Sequence, residues 1–260
     1  MNLRQTKPIV ISTFFTERYA FFLDLFILSA WRWTREPIEF YVFAYNVSEK
    51  TLNEKKAKLA MYPIKWFIDN DSHEAIAQQL GVDSSTLYTL REKSERSDAY
   101  LSGEHLYKVF VSVEKRYRWV IKSTRSAFEA GSERVFHSDV DVYFRSPYFL
   151  HEALFGSAVN IFFKNAKAVT MKVFGGLIWF SNQKHLHDRL SGWEEEISKV
   201  PVSKRWKDFG QSALYSAFRL YDTDSGVSNL SGNAVFLYSN RMQCKADAWL
   251  TSNSVLLNDP

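Results

Sequence analysis

Two aspartates separated by one residue follow a short apolar run, Phe136-His137-Ser138-Asp139-Val140-Asp141-Val142-Tyr143-Phe144. On an extended backbone, residues i and i+2 leave the same face, roughly 7 Å apart at their Cα atoms. Two unpaired acids held so close repel each other. A divalent cation removes that repulsion, and all-oxygen ligation suits hard Mg2+ or Mn2+. A diphosphate can then fill the remaining positions on the metal. The end of a parallel strand is also where open α/β sheets bind ligands. The plain alternative is a pair of solvated turn acids, because Asp-x-Asp is short and recurs by accident.

Other segments carry weaker signals. Gly175-Gly176-Leu177-Ile178-Trp179-Phe180 places two glycines before an apolar strand, which allows either close backbone approach to a ligand or an ordinary β-bulge. Asp208, ahead of Phe209-Gly210-Gln211, is equally placed to cap a helix. His185 and His187, at i and i+2 on a helix, do not face one way and make a poor zinc pair. No glycine-rich phosphate loop, dinucleotide fingerprint or nucleophile elbow is present, which lowers the odds of a P-loop NTPase, a Rossmann dehydrogenase or an α/β-hydrolase.

Elements that alternate between strand and helix must position these residues. Pro8 to Phe14 reads as a buried strand, and Ile38 to Ala44 and Ile64 to Ile68 as a second and a third strand. Between them, Glu17 to Trp33 reads as a buried helix, and a second helix runs from a Ser48 cap to Met61. This opening argues for a mostly parallel sheet wrapped by helices. A short helix is expected over His73 to Leu80, and a lid-like stretch over Arg91 to Ser102. A long helix from about Glu104 to Ala130, broken near Tyr117, leads past Gly131 into the strand Arg134 to Ser138. Val159 to Phe163, Leu177 to Phe180 and Val235 to Tyr238 read as later strands, and His185 to Lys199 and Phe209 to Leu220 as helices. A single domain is expected over 1–260, with a nucleotide-binding half at 1–150 and an acceptor half at 151–260.

Composition is that of a globular chain. The 260 residues are 46% hydrophobic and 24% charged, which argues against disorder across the chain. One cysteine, Cys244, excludes an internal disulfide and fits a reducing, cytoplasmic setting. The net charge of +4 is mild and suits an anionic substrate. The most apolar stretch, Tyr19 to Trp33, falls short of the ~20 residues of a membrane span, and peripheral membrane contact stays open.

The run from Trp119 to Pro147 contains Lys122, Gly131, an apolar strand, Ser138-Asp139-Val140-Asp141-Val142, Tyr143 and Arg145-Ser146-Pro147. It resembles the Asp-x-Asp region of GT-A fold glycosyltransferases, which transfer sugars from nucleotide-diphosphate donors. That resemblance implies an α/β, Rossmann-like fold. It implies Asp139 and Asp141 as metal acids, with Asp139 also at the donor sugar or ribose. It places Lys122 near the diphosphate and Thr13 and Tyr19 at the nucleoside. Gly175 and Gly176 would lie beside the transferred sugar, with Gln211 on the donor and Asp208 facing the acceptor or the reacting sugar. The donor is expected to be a UDP-sugar, with Mn2+ or Mg2+, and the transfer to retain configuration. Such enzymes often supply a third metal ligand, a histidine near the C-terminus. No histidine follows His187 here, so either phosphate and water complete the shell or Asp247 or Asn233 substitutes.

The acceptor is expected to be a surface saccharide. A hydroxylated DNA base is a second option, with Lys164, Lys167, Lys172 and Lys204-Arg205-Trp206-Lys207 available to phosphates. Asp139-Val140-Asp141 also resembles the nucleophile loop of haloacid-dehalogenase-type phosphatases, although about four elements precede it here. A non-catalytic nucleotide-sugar-binding protein is the remaining reading.

Overall fold

The computed structural model describes residues 7–87, 107, 110–144, 147–156, 158–163, 173–202, 209–218 and 235–237. The expected lid, Asp208, Asn233, Cys244, Asp247 and the basic clusters at 164–172 and 204–207 lie outside the described residues.

Six strands form one mixed sheet. In chain order they are β1 (Ile9–Thr16), β2 (Ile38–Tyr45), β3 (Ile64–Asp69), β4 (Arg134–Ser138), β6 (Val159–Phe163) and β7 (Val173–Ser181), and across the sheet they run β3-β2-β1-β4-β7-β6. The first four are parallel, while β7 runs antiparallel to both β4 and β6. The chain winds outward from β1 to β3 and then returns to place β4 on the other side of β1. The carboxyl ends of β1 and β4 therefore flank a topological switch point, where such sheets open a crevice.

Each face of the sheet has its own core. Ile9, Ile11 and Phe15 of β1 pack with Phe26 and Ile27 of α1 (Ala20–Trp33) on one face. Val10 and Phe14 pack with Val120 and Ile121 of α4 (Arg118–Glu129) on the other. This is the period-2 alternation of a strand buried on both sides. A single 3-10 turn, Glu17–Tyr19, joins β1 to α1, so the helix begins later than its apolar pattern suggests.

The helices are held by local chemistry. Ser48 caps α2 (Glu49–Lys58) by accepting the Thr51 N–H, and Ser72 caps α3 (His73–Leu80) through the Ala75 N–H. Gly131 ends α4 at φ +92°, a left-handed conformation that glycine takes at little cost. The break expected near Tyr117 is a π-helix, Val111–Tyr117, which feeds directly into α4. Beyond β7, α5 (Leu186–Ser198) packs against α6 (Phe209–Ala217). Gly210 of α6 lies against the ring of Tyr117, where a Cβ would collide with it.

The Asp-x-Asp segment is not extended. β4 stops at Ser138, and Val140-Asp141 is a turn. The Asp139 N–H donates to the Gly176 carbonyl at 2.9 Å, and the Ser138 hydroxyl to the Asp139 carbonyl at 3.1 Å. After the turn, β5 (Val142–Phe144) leaves the main sheet and pairs antiparallel with β8 (Val235–Leu237). Ser29 and Trp33 of α1 bond its Phe144 backbone.

Candidate active site

A cavity of about 880 Å3 opens where the carboxyl ends of β1, β2 and β4 meet the π-helix. It is walled by Phe14 to Tyr19 after β1, Asn46 to Ser48 after β2, Ser112 and Arg116 of the π-helix and the Asp139–Asp141 turn, with Asp71 and Tyr107 completing the lining. This is the crevice that the strand order predicts.

The charged centre is an Arg116–Asp139 pair. Nη1 of Arg116 donates to both carboxylate oxygens of Asp139, at 2.9 and 3.1 Å. Its guanidinium lies 4.4 Å from the centre of the Tyr117 ring. Burial works against the guanidinium charge, but the Asp139, Tyr117 and Asp141 side chains outweigh it and hold the Arg116 pKa above its ordinary value. Nε of Arg116 is buried without a partner among the described residues.

The adjacent Lys115 reaches the opposite lip of the cavity. It forms an ion pair with Asp71 at 2.5 Å and donates a hydrogen bond to Asp69 at 3.1 Å. The wider π turn thus aims two successive cations at two different strand ends.

Two further features frame the pair. His137, on β4, is fully buried with both ring nitrogens unpartnered among the described residues. Burial first, then the nearby Arg116 charge, lowers its pKa to about 3, so the imidazole is neutral. Glu17 accepts the Ser48 N–H at 2.7 Å and the Thr51 hydroxyl at 2.5 Å. Its charge therefore sits at the amino end of α2, where the helix dipole favours an anion.

The structure sorts the residues picked out from sequence. Asp139, Asp141 and Tyr19 line the cavity, and so does Phe14, which also packs in the core. Lys122 is exposed on α4 and does not line it; Arg116, six residues earlier, supplies the cation there. Thr13 is buried behind the wall, its carbonyl accepting the Trp119 indole N–H at 2.9 Å. Gly175 and Gly176 lie inside β7 rather than ahead of it, at the register shift opposite Ile161 and Phe162. That is the β-bulge reading, with the Gly176 carbonyl holding the Asp139 turn. Gln211 sits in α6 and does not line the cavity. Trp179 is a core residue stacked on Phe136.

Sequence reasoning passed over Arg116, Lys115, Asn46 and Asp71. One signal was available: Lys115 and Arg116 are adjacent cations on the helical segment that leads to the Asp-x-Asp strand, among other charged residues such as Glu114 and Arg118.

The two acids fit a hard divalent cation in part. Asp139 and Asp141 offer oxygen ligands on one cavity wall, and Arg116 at present neutralises the first of them. Among the described residues, no group of three or more His, Cys, Asp or Glu could hold a metal. A cation here would draw its other ligands from phosphate and water, or from residues outside the described set, where Asn233 and Asp247 lie. Among the described residues, no helix is long and apolar enough to cross a membrane.

No family model matches the chain, and no curated protein matches it. Among solved structures it is similar to the galactosyltransferase LgtC, in complex with donor and acceptor sugar analogues, at 13% identity and a TM-score of 0.49, covering 96% of this chain and 95% of that one. It is similar to the bifunctional glycosyltransferase WbbM at 13% identity and a TM-score of 0.48, covering 89% of this chain and 40% of that one. It is also similar to the glycosyltransferase GlyE of Streptococcus pneumoniae TIGR4, at 10% identity and a TM-score of 0.46, covering 98% of this chain and 52% of that one. The chain thus spans about half or less of the WbbM and GlyE chains.

Proposed function

We propose that the chain is a glycosyltransferase that moves a sugar from a nucleotide-diphosphate donor, a UDP-sugar by expectation, to a saccharide hydroxyl. The observation that carries this reading is the cavity at the switch point, with Asp139, Asp141 and Arg116 on one wall. A diphosphate needs positive charge that water screens little, and the partly buried Arg116 on the cavity wall supplies it. Asp139, held by Arg116 through both oxygens, accepts a hydroxyl of the donor's ribose or sugar. Asp139 and Asp141 would hold Mn2+ or Mg2+. When bound, the cation is a Lewis acid for the charge that develops on the departing diphosphate. The cavity walls hold the acceptor hydroxyl near the anomeric carbon, converting a bimolecular encounter into a positioned one. Retention of configuration is the stereochemical expectation, carried by the sequence resemblance alone.

The phosphatase reading places its nucleophile loop after the first strand of the domain, whereas the Asp139 turn follows the fourth strand of the sheet, which favours the transferase.

The test is a thermal-shift panel of nucleotide-sugars with and without Mn2+, on the native chain and Asp141→Ala. A shift that needs both the metal and Asp141 supports the reading and names the donor. No shift with any donor, alongside phosphatase turnover, overturns it.

A further inference from the structure

Arg116 brings positive charge to the cavity wall, and its own placement has a physical cause. An arginine side chain turns about several bonds, and Asp139 holds only its tip. A cation left to wander gives up part of its attraction for a ligand to the ordering it undergoes on binding.

The group behind it is the ring of Tyr117. The Arg116 guanidinium lies 4.4 Å from the ring centre, close enough for attraction between a cation and an aromatic face. Arg116 lines the cavity and Tyr117 does not. The ring is 1% exposed and is fixed by two later elements. Trp193 of α5 meets it edge to face, with ring centres 5.6 Å apart, and Trp193 is itself buried against Phe218. Gly210 of α6 touches the same ring so closely that a Cβ there would collide with it. Interiors packed to this density pass a displacement on instead of absorbing it. Both helices follow β7, in the half expected to take the acceptor. The cation at the crevice of β1 and β4 is therefore set from the acceptor side of the chain.

We propose that Tyr117 is the positioning residue for Arg116, and that Trp193 and Gly210 transmit the placement of α5 and α6 to it. The inference rests on the nucleotide-diphosphate reading above and adds what keeps the diphosphate's cation in place. Tyr117 acts through Arg116, which its ring face holds ready for the ligand.

The experiment is a double-mutant cycle on the full chain. Calorimetry in Mn2+ measures binding of UDP and of inorganic pyrophosphate to the native protein, Tyr117→Phe, Tyr117→Leu, Gly210→Ala and Arg116→Met, and to the last combined with Tyr117→Leu or Gly210→Ala. Melting temperatures check folding. Tyr117→Phe keeps the ring face and should bind within about twofold of the native chain. Tyr117→Leu loses the face, and affinity should fall about tenfold, the scale of a partly desolvated contact between a cation and a ring. In the Arg116→Met background the same change should move affinity by less than about twofold, because the cation it positions is gone. Gly210→Ala should weaken binding with Arg116 present and not without it, and it carries the cycle if Tyr117→Leu does not fold. NMR relaxation of the Arg116 Nε–H in the ligand-free chain adds a readout independent of binding: rigid in the native protein and Tyr117→Phe, mobile in Tyr117→Leu. Equal losses of affinity with and without Arg116 overturn the inference, as does an Nε–H that stays rigid in Tyr117→Leu. A loss in Tyr117→Phe as large as in Tyr117→Leu overturns it too. Each of these results leaves the transferase reading intact. Binding of neither probe by the native chain overturns both.

Discussion

Asp24 and Asp139 are both held by cations in enclosed positions, and they do different work. Asp24, in α1, is buried and accepts from Lys55 and Lys58 of α2, each at 2.8 Å. It is not among the cavity-lining residues, and its cations belong to a neighbouring helix. Asp139 is held by one cation, Arg116, and its carboxylate faces the cavity. The Asp24 cluster ties one helix to the next. The Asp139 pair lines the cavity and so has a face left over for a ligand. A buried ion pair by itself therefore says little about function, and its access to a cavity says more.

The sharpest way to separate the two is to remove a member of each. Arg116→Met should lower transfer by about 10²–10³-fold, the usual effect of deleting one charge-stabilising donor, with the larger share in kcat. Steady-state kinetics with the donor found by thermal shift would show it. Unchanged turnover would make Arg116 as structural as the lysines on Asp24. Asp24→Asn leaves two cations without their carboxylate and should cost about 3 kcal/mol of stability, read from denaturant melts. Lys58 is half-exposed and can turn outward to water, which keeps the cost at the lower end of the range for buried pairs. Nucleotide affinity should be unmoved; a matching loss of affinity would erase the contrast.

Gly210→Ala tests whether the Arg116 side depends on packing beyond the cavity. The new methyl group collides with Tyr117, the residue after Arg116, and overpacking of this kind costs about 1–3 kcal/mol. Donor affinity should weaken along with the melting temperature, whereas Asp24→Asn moves stability alone.

The smallest effect concerns pH in the metal-free chain. The folded-state pKa of His137 lies near 3, below the 6.5 of the unfolded chain, so the unfolded state binds the extra proton first. Stability should fall as pH drops below about 6.5 and stop falling, for this group, near 3. The slope is at most about 1.4 kcal/mol per pH unit. His137→Phe should flatten that limb in urea melts run from pH 7.5 to 5. A slope that survives the substitution would assign the acid sensitivity to the carboxylates instead.

Much of the scaffold is legible along the chain because its signals are local. The periodicity of Ile9 to Phe14 and Ile38 to Ala44, the Ser48 and Ser72 caps, and Gly131 after α4 each act within a few residues. The strand Arg134–Ser138 and the helix His73–Leu80 match their sequence readings residue for residue. The site is legible only in part. Asp139 and Asp141 announce themselves by spacing, but the extended geometry assumed for them gives way to a turn pinned by a carbonyl of β7. The family resemblance implied Lys122 near the diphosphate, but α4 faces it outward.

Local signals along the chain specify the alternation of strands and helices, the parallel opening and the acidic pair at the end of β4, since hydrophobic period, caps and turn residues are properties of short segments. The tertiary structure decided which cation meets the acids and how the strand ends are tied together. Arg116 meets Asp139 across 23 residues and Asn46 meets Asp71 across 25, and neither partner can be read from spacing. Both depend on the winding of the sheet, which carries the chain out to β3 and back beside β1. Only that crossing sets the π-helix and the end of β2 on either side of one cavity.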